Sequence, residues 1–276
     1  MITRACISIN NKCNLRCKYC HFNEKKNNIY ENNMDVIKIL NNIKTYIKEN
    51  NIEEFKLGFV GNGEPLLNFK ELKTYIEYIK NCPQIKPYTI TNGTILNQDM
   101  LFFFKENNVN VGFSLDGPEF IHNPLRCNTF DKVMENINLY FKINNKYPTF
   151  NATIGKETLK HKQEVIVFFK QFNSKITFSR MIGKYGITLK DFYDFLQEAQ
   201  KELLIREGKY DCTMYGGLCG AGINNIFYAN GKIYLCGNCI DLVPIADSDV
   251  LLKDIKIEIK EFDRTKCYKE ILGGNR

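Results

Sequence analysis

Three cysteines within eight residues, Cys13-Asn14-Leu15-Arg16-Cys17-Lys18-Tyr19-Cys20, constrain this chain more than any other stretch. Their spacing is C-x3-C-x2-C, and the apolar run Ala5 to Ile9 precedes them as a strand would. Three thiolates on one tight loop can grip three corners of an iron–sulfur cube. A cube held by protein alone needs a fourth thiolate, and none lies nearby in the sequence. The local supply of three points to a cluster with one iron left for something other than protein. A zinc knuckle or a disulfide pair is the competing reading. Zinc sites usually answer a C-x2-C pair with a second pair of ligands a short way downstream. His21 directly follows Cys20, and adjacent residues rarely ligate one metal together.

The rest of the chain has the bulk to support such a loop. Its 276 residues suffice for one large domain, or one with a small annex. With 44% hydrophobic and 13% aromatic residues, it is expected to bury a real core. No apolar run reaches the length of a membrane span, and the first residues lack a signal peptide's apolar stretch and cleavage site. A cytoplasmic location with no membrane partner is the expectation. Eleven cysteines in a reducing compartment point to metal rather than to disulfides. The net charge of +7 is spread along the chain, with Lys mixed among Glu and Asp. Without a dense basic block, nucleic acid is not the expected partner.

Periodicity predicts strands over 2–9, 55–60, 88–90, 109–115, 148–154 and 175–181. Helices are predicted between them, over 34–49, 68–80, 96–107, 130–141 and 161–172. Val36, Ile37, Leu40, Ile43 and Ile47 give the pattern of the first helix. Repeated strand–helix alternation argues for an α/β fold, a parallel sheet with helices outside, and crossover handedness curls such a sheet toward a barrel. Ligands of parallel barrels sit at the C-terminal ends of the strands. Three polar or glycine-rich stretches fall at such ends: Gly61-Asn62-Gly63-Glu64-Pro65, Thr91-Asn92-Gly93 and Ser114-Leu115-Asp116-Gly117-Pro118. The glycines would let backbone approach a ligand, and Glu64 would set a carboxylate at the mouth. Cys6, inside the first strand, reads as a small buried hydrophobe.

After Gly186 the alternation stops, which predicts a barrel over 1–185 and a smaller region over 186–276. That region should open with an amphipathic helix, Leu189 to Arg206. A hairpin is predicted over Ile226 to Leu235 with Asn230-Gly231 at its turn. It would bring Cys219 and Cys236 to its open end, a reasonable metal site, with a zinc ribbon as the alternative.

The cysteine loop resembles the signature of the radical S-adenosylmethionine (SAM) enzymes, in its spacing, its place near the N-terminus and the aromatic Tyr19 before the third cysteine. Gly61-Asn62-Gly63-Glu64-Pro65 resembles the family's glycine–glycine–glutamate–proline motif, with Asn62 in place of the second glycine. The resemblance implies a partial (β/α)6 TIM-like barrel and a 4Fe–4S cluster on Cys13, Cys17 and Cys20. It also implies SAM chelated at the open iron, and an electron donor such as a flavodoxin or ferredoxin. Reductive cleavage of SAM would give a 5′-deoxyadenosyl radical that abstracts hydrogen from substrate. By position, Tyr19, Gly61, Gly63, Glu64, Asn92, Ser114, Arg126 and Met181 would bind the cofactor. Cys219-x11-Gly231-x4-Cys236 is similar to the opening of the SPASM and twitch extensions of the same enzymes, which bind auxiliary 4Fe–4S clusters. The full seven-cysteine SPASM set is absent from the sequence, so one auxiliary cluster is expected, on Cys212, Cys219 and Cys236. Cys239, Cys267 or the substrate would complete it, with Cys239 nearer in sequence.

The Ser-Leu-Asp-Gly-Pro segment leans toward the family's peptide-modifying members. The implied function is hydrogen abstraction from a ribosomally made peptide or protein side chain, leading to oxidation, a crosslink or epimerisation. A twitch-type small-molecule dehydrogenase and an RNA-modifying enzyme are the alternatives. Cys127 as hydrogen donor and Asp116 as base are the candidate catalytic residues. A plain loop thiol and a turn-stabilising carboxylate are the competing readings of these two.

Overall fold

Alternating apolar residues build the sheet. The computed structural model describes residues 1–20, 34–206, 208–257, 259 and 261–272. His21 lies outside them. In β1 (Arg4–Ser8), Ala5 and Ile7 are fully buried while Arg4 and Cys6 are only partly covered. The period-two pleat sends the first pair to one face and the second to the other. β2 (Phe55–Val60), β3 (Ile85–Thr91), β4 (Asn110–Ser114), β5 (Thr149–Ile154) and β6 (Ile176–Arg180) repeat the theme. Leu57, Phe59, Val111, Phe113, Phe150, Ala152 and Phe178 share one core with the apolar stripes of the helices.

Those helices are α1 (Val36–Glu49), α2 (Phe69–Ile79), α3 (Gln98–Glu106), α4 (Glu119–Leu125), α5 (Phe130–Asn144), α6 (Lys156–Lys160) and α7 (Lys162–Lys170). Local chemistry fixes their starts. The Asp35 side chain accepts from the Lys38 N–H at the head of α1, and Asn97 accepts from Met100 at the head of α3. Strands β1 to β6 pair in sequence order, all parallel. Residues from all six line one cavity, among them Arg4, Lys56, Tyr88, Gly112, Asn151 and Thr177, so the sheet curls round a hollow. The expected partial barrel of six parallel strands is the observed architecture.

The C-terminal region adds α8 (Leu189–Ala199), β7 (Tyr210–Asp211), β8 (Leu218–Cys219), β9 (Asn225–Ala229), β10 (Lys232–Tyr234), β11 (Ala246–Asp247) and α9 (Tyr268–Ile271). The predicted hairpin forms, with Asn230 and Gly231 both at positive φ in its turn. It does not stand apart. β9 pairs parallel with β1, so the order of the nine-stranded sheet is β11-β10-β9-β1-β2-β3-β4-β5-β6.

Several expected boundaries move, each for a physical reason. β3 starts at Ile85 rather than Tyr88; Pro87 sits inside it and, lacking an N–H, hid the strand's first half. The helix predicted from Leu189 ends at Ala199, not Arg206. Beyond it the backbone pairs with the open edge of β6: the Ile176 N–H donates to the Leu204 carbonyl and the Arg206 N–H to that of Ile176. The helix predicted over 161–172 forms as Lys162–Lys170, and a short unpredicted helix, Lys156–Lys160, meets it at His161. α4 was not predicted, since Pro124 near its end disguises it. No helix among the described residues is long and apolar enough to cross a membrane.

Candidate functional site

The cysteine loop follows β1 and lies against the ends of β2, β3 and β4, where the chain pins it at three places. The first pin is the loop after β2. Asn62 N–H donates to the Asn10 carbonyl (3.1 Å) and Glu64 N–H to the Lys12 carbonyl (2.7 Å). Asn10 Nδ2 donates back to the Glu64 carbonyl at 2.7 Å. A β-carbon on Gly63 would overlap the Lys12 carbonyl, and one on Gly61 would press on Asn10 Oδ1. The glycines are therefore required by the chain's own close approach, not by a ligand alone, which corrects the sequence reading. The buried Asn10 Oδ1 has no hydrogen-bond partner among the described residues.

Glu64 also departs from expectation. Its side chain does not stand at the mouth; it is 2% exposed and turned inward. Thr91 Oγ1 (2.7 Å) and Leu66 N–H (3.1 Å) donate to Oε1, and Asn92 N–H (2.7 Å) donates to Oε2. Burial raises its pKa against the pull of these donors. Glu64 thus ties the end of β2 to the end of β3. Asn92 carries the tie onward, as its Nδ2 donates to Asn14 Oδ1 inside the cysteine loop at 2.9 Å.

Asp116, after β4, is the second pin. It is fully buried, and three donors hold it: Tyr19 Oη (2.6 Å) and Arg126 Nε (2.7 Å) on Oδ2, and Thr153 N–H (2.8 Å) on Oδ1. Asp116 is therefore not placed to take a proton from a substrate, and the expected role as base gives way to a structural one. Tyr19 reaches it from between Cys17 and Cys20, and the Arg126 guanidinium lies 5.4 Å from the Tyr19 ring centre. Arg126 is thus spent in part on Asp116, with 11% of its side chain exposed beside Cys17. His122, wholly buried, accepts from the Asp116 N–H through Nδ1 at 3.4 Å and contacts Thr129 Oγ1 through Nε2. Desolvation lowers its pKa to about 4, the Asp116 charge opposing and that of Arg126 assisting.

The end of α4 makes the third pin. Lys18 N–H donates to the Leu125 carbonyl, and Arg16 N–H donates to Cys127 Sγ at 3.3 Å. Cys127 is exposed, has a positive φ and faces the cysteine loop. Cys13, Cys17 and Cys20 are partly exposed. Burial pushes the Cys17 thiol up to about 11, Arg126 opposing, with Asp116, Cys20 and Cys127 adding to it. Ser114 is half-buried at the end of β4, opposite Asn151. Met181 is buried, its sulfur against Gly155, so it belongs to the core rather than to an open adenine pocket. Asn10, Asn14 and His122 were missed by sequence reasoning. Asn10 and Asn14 flank the first cysteine and fall at a strand end, which was the available signal.

A second group of cysteines gathers at the C-terminal region. Cys212 precedes the turn Thr213–Tyr215, Cys219 ends β8, Cys236 and Cys239 bracket the turn after β10, and Cys267 caps α9. The tail folds back to bring Cys267 in. Cys219 N–H donates to the Arg264 carbonyl (2.8 Å), and Arg264 Nη1 donates to that of Cys219 (2.7 Å). Cys212 and Cys219 are each close enough to Cys236 and Cys267 for the charges of those two thiols to raise their pKa. Burial first, then these neighbours, pushes the Cys212 thiol to about 12. Cys239 instead lies against Cys236, sulfur to sulfur at 3.4 Å. All eleven thiols are free. Among the described residues no three metal-binding side chains converge on one ion-sized point. A cube, whose corners spread the sulfurs apart, does not require that.

Comparison with known proteins agrees with this geometry. The family model described as the Radical SAM superfamily matches residues 7–169. The chain is 33% identical over 211 residues to a cysteine-type anaerobic sulfatase-maturating enzyme of Clostridium novyi, across 67% of this chain and 55% of that protein. It is 30% identical over 244 residues to the radical SAM cyclopropyl synthase TigE of Paramaledivibacter caminithermalis, across 80% of this chain and 49% of that protein. The chain thus spans about half the length of these two relatives. A solved structure of native anSMEcpe with bound AdoMet and a Cp18Cys peptide superposes with a TM-score of 0.71 at 24% identity, covering 91% of this chain and 78% of that one. Streptococcus suis SuiB bound to S-adenosylmethionine gives 0.70 at 16% identity, covering 92% of this chain and 63% of that one. At these identities the two structures show a shared fold.

Proposed function

This chain belongs to the radical SAM superfamily, and from that premise we propose that it modifies a peptide or protein side chain by hydrogen abstraction. The observation that carries the reading is the seat of Cys13, Cys17 and Cys20: one loop, three free thiols, fixed to the ends of β2, β3 and β4 by Asn10, Glu64, Asn92 and Asp116. A donor set of three soft thiols suits a 4Fe–4S cube with one open iron. When bound there, the cluster and SAM supply a one-electron cleavage of the sulfonium and the hydrogen abstraction that follows.

The chain's own residues prepare that chemistry. Tyr19 and Arg126, locked on Asp116, hold the second half of the loop still. Arg126 leaves guanidinium nitrogens beside Cys17 for a carboxylate. Gly61, Gly63, Asn92 and Ser114 contribute by position at the strand ends. Support for a peptide substrate comes from the relatives, two of which are named for maturing sulfatases and for making a cyclopropyl group. An external one-electron donor such as flavodoxin or ferredoxin would supply the reductant, and eleven free thiols suit the cytoplasm.

We further propose that 186–276 is an auxiliary-cluster region. Cys212 and Cys219 are each close enough to both Cys236 and Cys267 to feel their charge, which supports these four as the ligand set, with Cys239 beside Cys236 as a spare. Cys267 is thus the proposed fourth ligand in place of Cys239, a reading supported by the docking of the tail at Arg264 onto Cys219.

The test uses reconstituted, reduced protein with SAM and candidate peptides encoded beside its gene. Formation of 5′-deoxyadenosine together with a peptide product is the expected result. That product has either lost two hydrogens or, made in heavy water, gained one deuterium. Cleavage of SAM with every peptide returned unchanged would remove the peptide reading.

A further inference from the structure

The hollow of the barrel is lined unlike a packed core. Inward positions of parallel barrels usually carry bulky branched residues that fill the space. Here the inward residues near the strand starts are polar or absent: Asn110 and Gly112 on β4, Thr149 and Asn151 on β5, Thr177 on β6. They leave a cavity of about 570 Å³ open at the end of the sheet opposite the first three cysteines. A second cavity, of about 650 Å³, shares Lys175, Arg206 and Gly208 with the first and runs on between α8 and the Gly216-Gly217 turn. Two such spaces in series exceed what one small ligand fills.

The charge at their junction is unbalanced. Asp211 is shared by two guanidiniums, Arg4 Nη1 at 3.0 Å and Arg206 Nη2 at 2.5 Å. The Arg4 and Arg206 side chains keep 24% of their surface open, against 12% for Asp211. Tyr88, whose hydroxyl contacts Cys6 Sγ, lies beside Arg4 in the wall. At the rim, Lys56 is paired with Glu54, whereas Lys86 and Lys175 have no acidic partner among the described lining residues. Among the described lining residues, one net positive charge sits inside and two more at the entrance, in a recess whose walls focus the field.

Resting on the peptide reading above, we infer that this lower mouth receives an acidic peptide segment, with one of its carboxylates seated between Arg4 and Arg206. Each guanidinium gives Asp211 a single contact, Arg4 through Nη1 and Arg206 through Nη2, and keeps 24% of its surface open, which leaves donors for a second carboxylate. A nucleic-acid backbone would need basic groups along an exposed face; Lys56, Lys86 and Lys175 are exposed, but the proposed seat, Arg4 and Arg206, is recessed.

Fluorescence anisotropy with the reconstituted protein tests this, using a short labelled peptide of glycine and glutamate and its glutamine counterpart. The glutamate peptide should bind roughly tenfold tighter at low salt, and the gap should close as ionic strength rises. Arg206→Gln should abolish the preference, and Arg206→Glu should reverse it toward a lysine peptide; thermal melts confirm that both variants fold. Equal binding of the two peptides, or a preference that survives Arg206→Gln, overturns the inference while leaving the peptide reading intact. Binding of neither peptide also overturns it, and product mass in the assay above still decides the peptide reading. A short uridine oligomer that displaces the glutamate peptide and itself depends on Arg206 would overturn it in favour of nucleic acid.

Discussion

The two cysteine groups of this molecule are built on opposite plans. The first has three partly exposed thiols on one loop, and its neighbours are polar groups locked to each other: Tyr19, Asp116, Arg126, Asn92 and Glu64. The second has five thiols contributed by four separate pieces of chain, and Cys219, Cys239 and Cys267 are buried. In the first, sequence proximity supplies the sulfurs and the fold supplies rigidity around an open position. In the second, the fold itself supplies the sulfurs from pieces distant in sequence. On the proposed reading the first set stays open to a ligand, while the second closes on its own cluster.

That contrast can be broken by mutation. The largest effect is expected from Cys17→Ala, which should abolish 5′-deoxyadenosine formation and lower iron from about eight to about four per chain. Loss of all iron would mean that the two groups are not independent. Cys267→Ala should likewise remove about four irons but leave SAM cleavage in place, whereas Cys239→Ala should keep nearly all of them. If the two variants exchange behaviour, Cys239 is the fourth ligand.

Asp116→Asn probes the rigid surround of the open set alone. It leaves the buried Arg126 without its charge partner and should cost about 3–5 kcal/mol in urea unfolding. A cost near zero would show that the surround does not depend on this carboxylate. The smallest effect is in the pH dependence. His122 titrates near 4 in the fold, against an ordinary value of 6.5. Its contribution is complete above 6.5 and is lost as pH falls toward 4, by at most about 3 kcal/mol. Stability measured over that window should therefore fall less steeply in His122→Gln than in the parent chain. Parallel curves would remove His122 from the account.

Much of this contrast was legible in the sequence, and the reasons are local. The spacing Cys13-Cys17-Cys20 and the polar stretches at strand ends follow from neighbouring residues, as does the Asn230-Gly231 turn. What was not legible depends on distant partners. Glu64 looked like a mouth carboxylate because nothing local shows that Thr91 and Asn92 will claim it. Asp116 looked like a base for the same reason, before Thr153 and Arg126 were seen to converge on it. Gly63 looked like a ligand contact because the approach of Lys12 is set by tertiary packing. Cys239 was favoured over Cys267 on sequence distance, a criterion blind to the docking of Arg264 onto Cys219 that underlies the proposal of Cys267.

The open set itself is tested most directly by electron paramagnetic resonance on a Cys219→Ala, Cys236→Ala variant, which leaves only the first three cysteines to hold a cluster. The reduced cluster should give one signal that changes shape when SAM is added, as a ligand reaches its free iron. A signal indifferent to SAM, or a protein that takes up zinc in place of iron, would contradict the account.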